Sequence, residues 1–294
     1  MNVLLLGGNG YLGSKVAHML VGTGHGVVCT KRPLSDLSRI EDIIDKLTLI
    51  PASVDSVESA SQYISFDYVI NTACNYGRSD SLYDSVIEAN IEFPLRVLNK
   101  IAESGKCNYL TIGTGLPDLL NMYCFTKKIF NEFGRFYCDK HSVNFCCLTL
   151  EMLYGADEPV NRFFPSVIRK MLNGEDVETT IGTQHRDIIS VSDVVNAISM
   201  VISAGLAGYR EIPVGTGEAP SISEIIDFMW EMTGRKSQIK KGAIPMRFNE
   251  PDCVADVSIL RSIGEWSPIR WKEGIKDMID TINIQIRGGS LPVN

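Results

Sequence analysis

The chain has 294 residues, 45% of them hydrophobic and 21% charged, and a formal net charge of −7. That apolar content suffices for one large or two modest cores, while the acidic balance argues against a nucleic-acid surface, which needs excess Lys and Arg to neutralise phosphates. No apolar run approaches the ~18 residues of a membrane span, and MNVLLLGGNG has neither a basic leader nor a long enough apolar region for a signal peptide, so a cytoplasmic protein with no membrane attachment is expected.

Residues 3–6 (VLLL) fit a short buried parallel strand. Gly7, Gly8, Asn9, Gly10, Tyr11, Leu12 and Gly13 follow, and a helical pattern then runs through Leu20. In this GxxGxxG turn Gly7 permits the tight bend, Gly10 lets a pyrophosphate approach the backbone, and Gly13 lets the helix pack on the strand. A dinucleotide site at the helix N-terminus is the expectation. The second strand, GVVCT (26–30), ends in Lys31 and Arg32, where a cofactor with a free ribose 2′-hydroxyl usually meets a carboxylate. Two cations suit a 2′-phosphate instead, so NADPH/NADP is expected rather than NAD.

An apolar run near Leu47–Ile50, a polar bend and a strand at 66–73 (FDYVINTA) continue the alternation, placing Thr72 and Ala73 at a carboxyl end where such sheets bind ligands. A helix from about Asp84 to Ser104 carries Asn90, and a strand at 107–113 leads to Thr114. Tyr123 and Lys127 are four residues apart in a helix reading Met122–Tyr137, so they share one face. A free tyrosine loses its proton only near pH ~10, and a neighbouring ammonium lowers that value. Tyr123 is therefore a candidate proton donor or acceptor, with the Thr114 hydroxyl able to bond the same oxygen. The next strand, VNFCCLTL (143–150), runs into LYGADEP.

Beyond residue 158 the alternation fails, with helices expected at Phe163–Leu172, Ser192–Ile202, Ser221–Met232 (capped by Ser221) and Lys272–Ile284, and a frayed tail RGGSLPVN. The fold class is α/β: a Rossmann-type doubly wound parallel sheet over 1–157 plus about 186–210, with a smaller C-terminal substrate-binding lobe over about 158–185 and 211–294. The eight cysteines show no CxxC pair and read as reduced, mostly buried thiols; the four histidines have no ligand spacing, so no metal is expected.

The ordered set GGNGYLG, NTA, Asn90, Thr114, Tyr123 with Lys127, LEMLYG, QHRDIISVSDVV, VGTGEAPSISEI and ADVSILRSIGEWSP resembles the extended short-chain dehydrogenases/reductases that act on nucleotide sugars. ACNYG, NIEFPLRVL, MYCFTKK and GTQHRDIISVSDVVNA are most similar to 4-ketoreductases of the CDP-abequose and CDP-paratose synthase type. The resemblance implies Tyr123 as acid/base, Lys127 as the group that lowers its pKa and holds the nicotinamide ribose, and Thr114 as hydrogen-bond partner of the sugar oxygen. It further implies Asn75, Glu151, Arg186 and Arg247 as substrate contacts, the two arginines for the diphosphate, and a homodimer through two long helices. Thr149 and Met152 depart from an RxxNxYG-like segment, Ser53 from a common adenine-contacting Asp (with Asp55 nearby), and Ile181 from a base-stacking aromatic.

Three reactions share such a scaffold. A 4,6-dehydratase of the family carries Asp-Glu after the threonine, whereas Gly115 and Leu116 stand here. A 4-epimerase returns its own hydride and suits a tightly held NAD, while a net reductase draws on NADPH, which Lys31 and Arg32 favour. Reduction of a 4-keto sugar nucleotide is the expectation, with the epimerase and a non-catalytic NADP sensor as alternatives.

Overall fold

The computed structural model describes residues 1–77, 83–103, 107–141, 143–205, 207–247 and 250–288; the expected helix end at Ser104 and most of the expected frayed tail lie outside these residues. In chain order come β1 (Asn2–Leu6), α1 (Tyr11–Gly22), β2 (Gly26–Lys31), a 3-10 helix (Ser38–Lys46), β3 (Leu47–Pro51), α2 (Val54–Ser61) and β4 (Tyr68–Asn71). They are followed by α3 (Tyr83–Ile87), a π-helical turn (Glu88–Glu92), α4 (Phe93–Glu103), β5 (Cys107–Thr114), α5 (Met122–Lys140) and β6 (Val143–Leu150). The remainder is β7 (Met152–Tyr154), α6 (Phe163–Asn173), β8 (Val177–Thr179), β9 (Ile188–Ser190), α7 (Val191–Ala204), β10 (Tyr209–Val214), α8 (Ile222–Met232), β11 (Ile239–Lys241), α9 (Ser258–Ile263) and α10 (Trp271–Arg287).

The central sheet has seven strands in the order β10-β6-β5-β4-β1-β2-β3. β1 lies between β2 and β4 and runs parallel to both. The chain reverses its direction of winding between β1 and β4, which is where ligands bind in sheets of this kind. In the register of these two strands Leu6 faces Asn71, so the glycine turn after β1 and the loop after β4 emerge side by side.

The helix expected from Asp84 to Ser104 is three segments joined by the π turn. Pro94 explains the interruption: it has no N–H to donate, and its ring would collide with the carbonyl one turn back in a regular helix. A widened turn absorbs both problems, and it holds Asn90, which is 2% exposed.

The chain forms two compact units, Met1–Leu150 with Val195–Ile212, and Glu151–Val194 with Pro213–Asn294. The boundaries differ from those expected. Residues 186–194 and 151–157 fall in the second unit, because β9 pairs with β7 in a separate two-stranded sheet instead of joining the large one.

In the first unit, α5 is seated by its small residue. A Cβ on Gly134 would fall into the Phe145 ring on β6, so only glycine allows this approach. Phe145 in turn stacks on Tyr109 of β5 at 5.4 Å, with Phe130 of α5 against both rings. Gly134 and Phe130 share a helix face with Lys127, so the packing that fixes α5 also aims Lys127 toward the sheet.

The second unit has its own core, built from Tyr154, Phe164, Ile168, Ile225, Met229 and Ile279. Ser221 caps α8 as expected, in a reciprocal capping box with Glu224. Asp187, fully buried, accepts hydrogen bonds from the Thr216 N–H and hydroxyl at 2.8 and 2.7 Å, from Gly217 N–H at 2.9 Å and from Ala255 N–H at 3.2 Å. It therefore gathers the segments at 216–217 and 255 onto β9. Asp187→Asn turns an acceptor into a donor that faces these donors, and is expected to destabilise the protein by about 3 kcal/mol, read as a lower denaturant midpoint. Among the described residues no helix is long and apolar enough to cross a membrane.

Candidate active site

The glycine turn is built for an anion. Gly7 has φ +78°, a left-handed conformation, and a Cβ there would lie 2.8 Å from both N and Cα of Ala73. A Cβ on Gly13 would strike the Gly7 carbonyl and come within 2.7 Å of Thr72 Oγ1. At Gly10 a Cβ would meet only the Gly7 carbonyl oxygen. Gly10 is the N-cap of α1 and supplies no side chain to its first-turn N–H groups. Those N–H groups, with the positive end of the helix behind them, suit a pyrophosphate. Thr72 holds the turn from beneath, donating its hydroxyl to Leu6 O at 2.8 Å. Asn9 donates to Asp36 O at 3.2 Å, tying the turn to the segment after β2.

Lys31 is half-buried at the end of β2 and Arg32 is exposed. A third cation, Arg39 of the 3-10 helix, places its guanidinium 5.7 Å from the Tyr11 ring. Arg39 lies in a polar segment that no strand pattern or motif marks. Ser53 does not stand free for a nucleobase: its hydroxyl accepts from Ser56 N–H at 3.2 Å and caps α2.

Asn121 caps α5 by accepting from Cys124 N–H at 2.9 Å, which sets the first turn that carries Tyr123. Lys127 is 5% exposed, and its Nζ donates to Ala73 O at 3.5 Å. The same Nζ lies 6.0 Å from the centroid of the half-buried Tyr123 ring. Burial holds the Lys127 pKa below the ordinary lysine range. Through Ala73, then, the Tyr123–Lys127 pair stands beside Gly7 and the opening of the glycine turn.

Thr114 lines one small pocket together with Lys127, Asn131, Thr149, Asp118 and Glu211. Its Oγ1 accepts from Leu116 N–H at 3.2 Å, which leaves the hydroxyl hydrogen to donate elsewhere.

Asn90 is used internally. Its Oδ1 accepts from Asn75 N–H at 2.7 Å, and its Nδ2 donates to Asn75 O at 2.9 Å and Thr126 Oγ1 at 3.0 Å. Thr126 donates to Tyr123 O at 2.9 Å. The Asn90 side chain therefore ties the loop after β4 to α5. The Asn75 side chain is also engaged, with Ser85 at 3.2 Å and Gly77 N–H at 2.9 Å.

In the second unit, Arg186 is nearly buried and its guanidinium is committed to Glu250 at 2.7 Å, with further bonds to His185 O and Pro251 O. It is not an open cation. Arg247 is exposed. Burial and the neighbouring Asp187 push the Glu151 carboxyl up to about 7, with Arg186 opposing. Ile181 is 55% exposed.

The cysteines described are free; burial pushes Cys29 up to about 11 and Cys146 up to about 12, which makes both poor nucleophiles.

A family model described as NAD dependent epimerase/dehydratase family matches residues 3–215. A CDP-abequose synthase of Salmonella muenchen is 27% identical over 286 residues, covering 94% of this chain and 96% of that protein. The fold is similar to that of UDP-glucose 4-epimerase from Thermotoga maritima with UDP-glucose, at TM-score 0.85 and 20% identity over 97% of this chain and 100% of that one. It is also similar to UDP-glucuronic acid 4-epimerase from Bacillus cereus in complex with UDP-glucuronic acid and NAD, at TM-score 0.84 and 19% identity over 96% and 99%.

Proposed function

This chain belongs to the NAD dependent epimerase/dehydratase family, and we propose that within it the protein reduces the C4 ketone of a nucleoside-diphosphate 4-keto-6-deoxy or 4-keto-3,6-dideoxyhexose. The nucleotide in this reading is CDP, the reductant NADPH, and the product a deoxysugar donor for surface polysaccharide. The observation that carries it is the linkage Gly7–Ala73–Lys127–Tyr123, which sets a phenol and an ammonium beside a turn fit for a pyrophosphate. The Salmonella CDP-abequose synthase, matched over nearly its whole length, supports the choice of substrate class.

Residues 7–13 would hold the pyrophosphate, Lys31 and Arg32 a 2′-phosphate, and Thr72 and Ala73 the wall beside them. When bound, the nicotinamide nucleotide supplies the hydride that reaches the carbonyl carbon. Tyr123 donates its phenolic proton to the oxygen as negative charge develops there, and Thr114 donates a hydrogen bond to the same oxygen. Lys127 favours the phenolate that is left. Gly115 and Leu116 offer no acid or base after Thr114, which speaks against dehydration. Asn75, Glu151 and Arg247 are the proposed sugar-nucleotide contacts, Glu151 as a carboxyl able to keep its proton near neutral pH. Arg186 joins them only where a diphosphate takes the place of Glu250. A homodimer through α4 and α5, in the cytoplasm, completes the reading.

The test follows nicotinamide absorbance with a panel of 4-keto sugar nucleotides made in situ by dehydratases. NADPH oxidation with a CDP-linked member is expected. No oxidation with any member, alongside interconversion of a hydroxylated sugar nucleotide without added cofactor, identifies a 4-epimerase instead. In the same assay Lys31→Glu with Arg32→Asp is expected to lower kcat/KM for NADPH about 10²-fold without lowering it for NADH. An unchanged NADPH preference removes these two residues from cofactor selection.

A further inference from the structure

Resting on the reading of Tyr123 as proton donor, we propose that Tyr76 is a positioning residue whose ring fixes the Tyr123 ring in the orientation that proton delivery needs. The two rings lie 4.9 Å apart between centroids, tilted by 34°. Tyr76 is 41% exposed, so its ring contributes little to a core.

Its backbone, by contrast, is held on both sides. Ala73 N–H donates to Asn71 Oδ1 at 3.2 Å, Asn75 is bonded through both N–H and C=O to Asn90, and Gly77 N–H returns to Asn75 Oδ1 at 2.9 Å. Gly77, at φ +61°, closes this Asx turn in a conformation that favours glycine. The same Asn90 reaches Thr126, which bonds the Tyr123 carbonyl. One buried asparagine thus sets the spacing of the two backbones from which the rings project. The ring contact follows from that spacing and not from chance packing at a surface.

A phenol at the start of a helix can swing about its side-chain torsions, and a displacement of ~1 Å of a reacting group costs about 10²-fold in rate. Lys127, deeply buried and with its Nζ 6.0 Å from the Tyr123 ring centroid, holds one reference point; Tyr76 supplies another. Aromatic pairs of this tilt are favourable beyond simple area burial, and an aromatic ring suffices for the task, with or without its hydroxyl.

The experiment uses Tyr76→Ala and Tyr76→Phe in the full chain with NADPH and the ketosugar turned over by the wild type. Tyr76→Ala is expected to lower kcat at least about tenfold, with KM for the ketosugar and the unfolding midpoint little changed. Tyr76→Phe is expected to restore wild-type kcat. Independently of turnover, phenolate absorbance is titrated, with Tyr123→Phe identifying the contribution of Tyr123. Its midpoint is expected to rise in Tyr76→Ala, as the freed ring drifts from the Lys127 ammonium, and to stay in place in Tyr76→Phe.

Wild-type kcat and an unmoved midpoint in Tyr76→Ala overturn the proposal. So does a loss confined to KM, which makes Tyr76 a ligand contact, or a Phe variant as impaired as Ala, which assigns the effect to the hydroxyl. Absence of turnover in the wild type defeats the reduction reading instead, and the titration still decides whether the two rings are coupled.

Discussion

Tyr123→Phe is expected to lower kcat about 10³-fold, the middle of the range for removing a general acid, while cofactor affinity stays within about twofold of wild type. The substitution is clean because the ring remains. Its contact with Tyr76 and its position 6.0 Å from Lys127 Nζ depend on carbon atoms that phenylalanine also has. Only the proton leaves. The glycine turn that would bind the pyrophosphate is shaped by Gly7, Gly13, Thr72 and Ala73, none of which depends on the phenol. Rapid-mixing turnover with cofactor binding read separately checks both halves. Retained turnover, within about tenfold of wild type, would remove Tyr123 from the chemistry.

Much of this arrangement is legible in the sequence for a simple reason: it rests on local rules. The glycine spacing, the apolar run before it and the four-residue interval between Tyr123 and Lys127 each fix backbone or side-chain direction over one or two turns. What could not be read depends on contacts between distant segments. Asn90 lies in an expected helix, but its engagement with Asn75 and Thr126 arises only when the loop after β4 meets α5. Arg186 reads as a cation, and its pairing with Glu250 appears only once residues 64 apart fold together. Tyr76 stood within a motif yet had no period or spacing to mark it. The signal that could have found it is positional: it lies just past the carboxyl end of a strand at the reversal of the sheet order, where side chains meet ligands.

Lys127→Met is expected to separate stability from activity. Methionine keeps the length of the stem and its packing beside Phe130 and Gly134, while it removes a charge from a site that is 5% exposed. Burial lowers the Lys127 pKa in the folded protein. Between that lowered value and the ordinary lysine value near ~10.4, the unfolded chain binds more protons than the folded one, so the wild-type protein gains stability as pH rises through the interval. At neutral pH the lysine is therefore a net burden on folding, eased only slightly by a 3.5 Å hydrogen bond to Ala73 O. The methionine variant should be more stable by about 1 kcal/mol at neutral pH, the usual scale for relieving a strained functional group, and its advantage should shrink as the pH approaches the ordinary lysine range. Its kcat should fall about 10²-fold, because the phenolate left on Tyr123 loses the positive charge held 6.0 Å from its ring centroid. Chemical denaturation across pH, set beside turnover of the same samples, reads both effects. A variant that is less stable at every pH would show that Lys127 serves the fold, and one that keeps full activity would show that it does not serve the phenol.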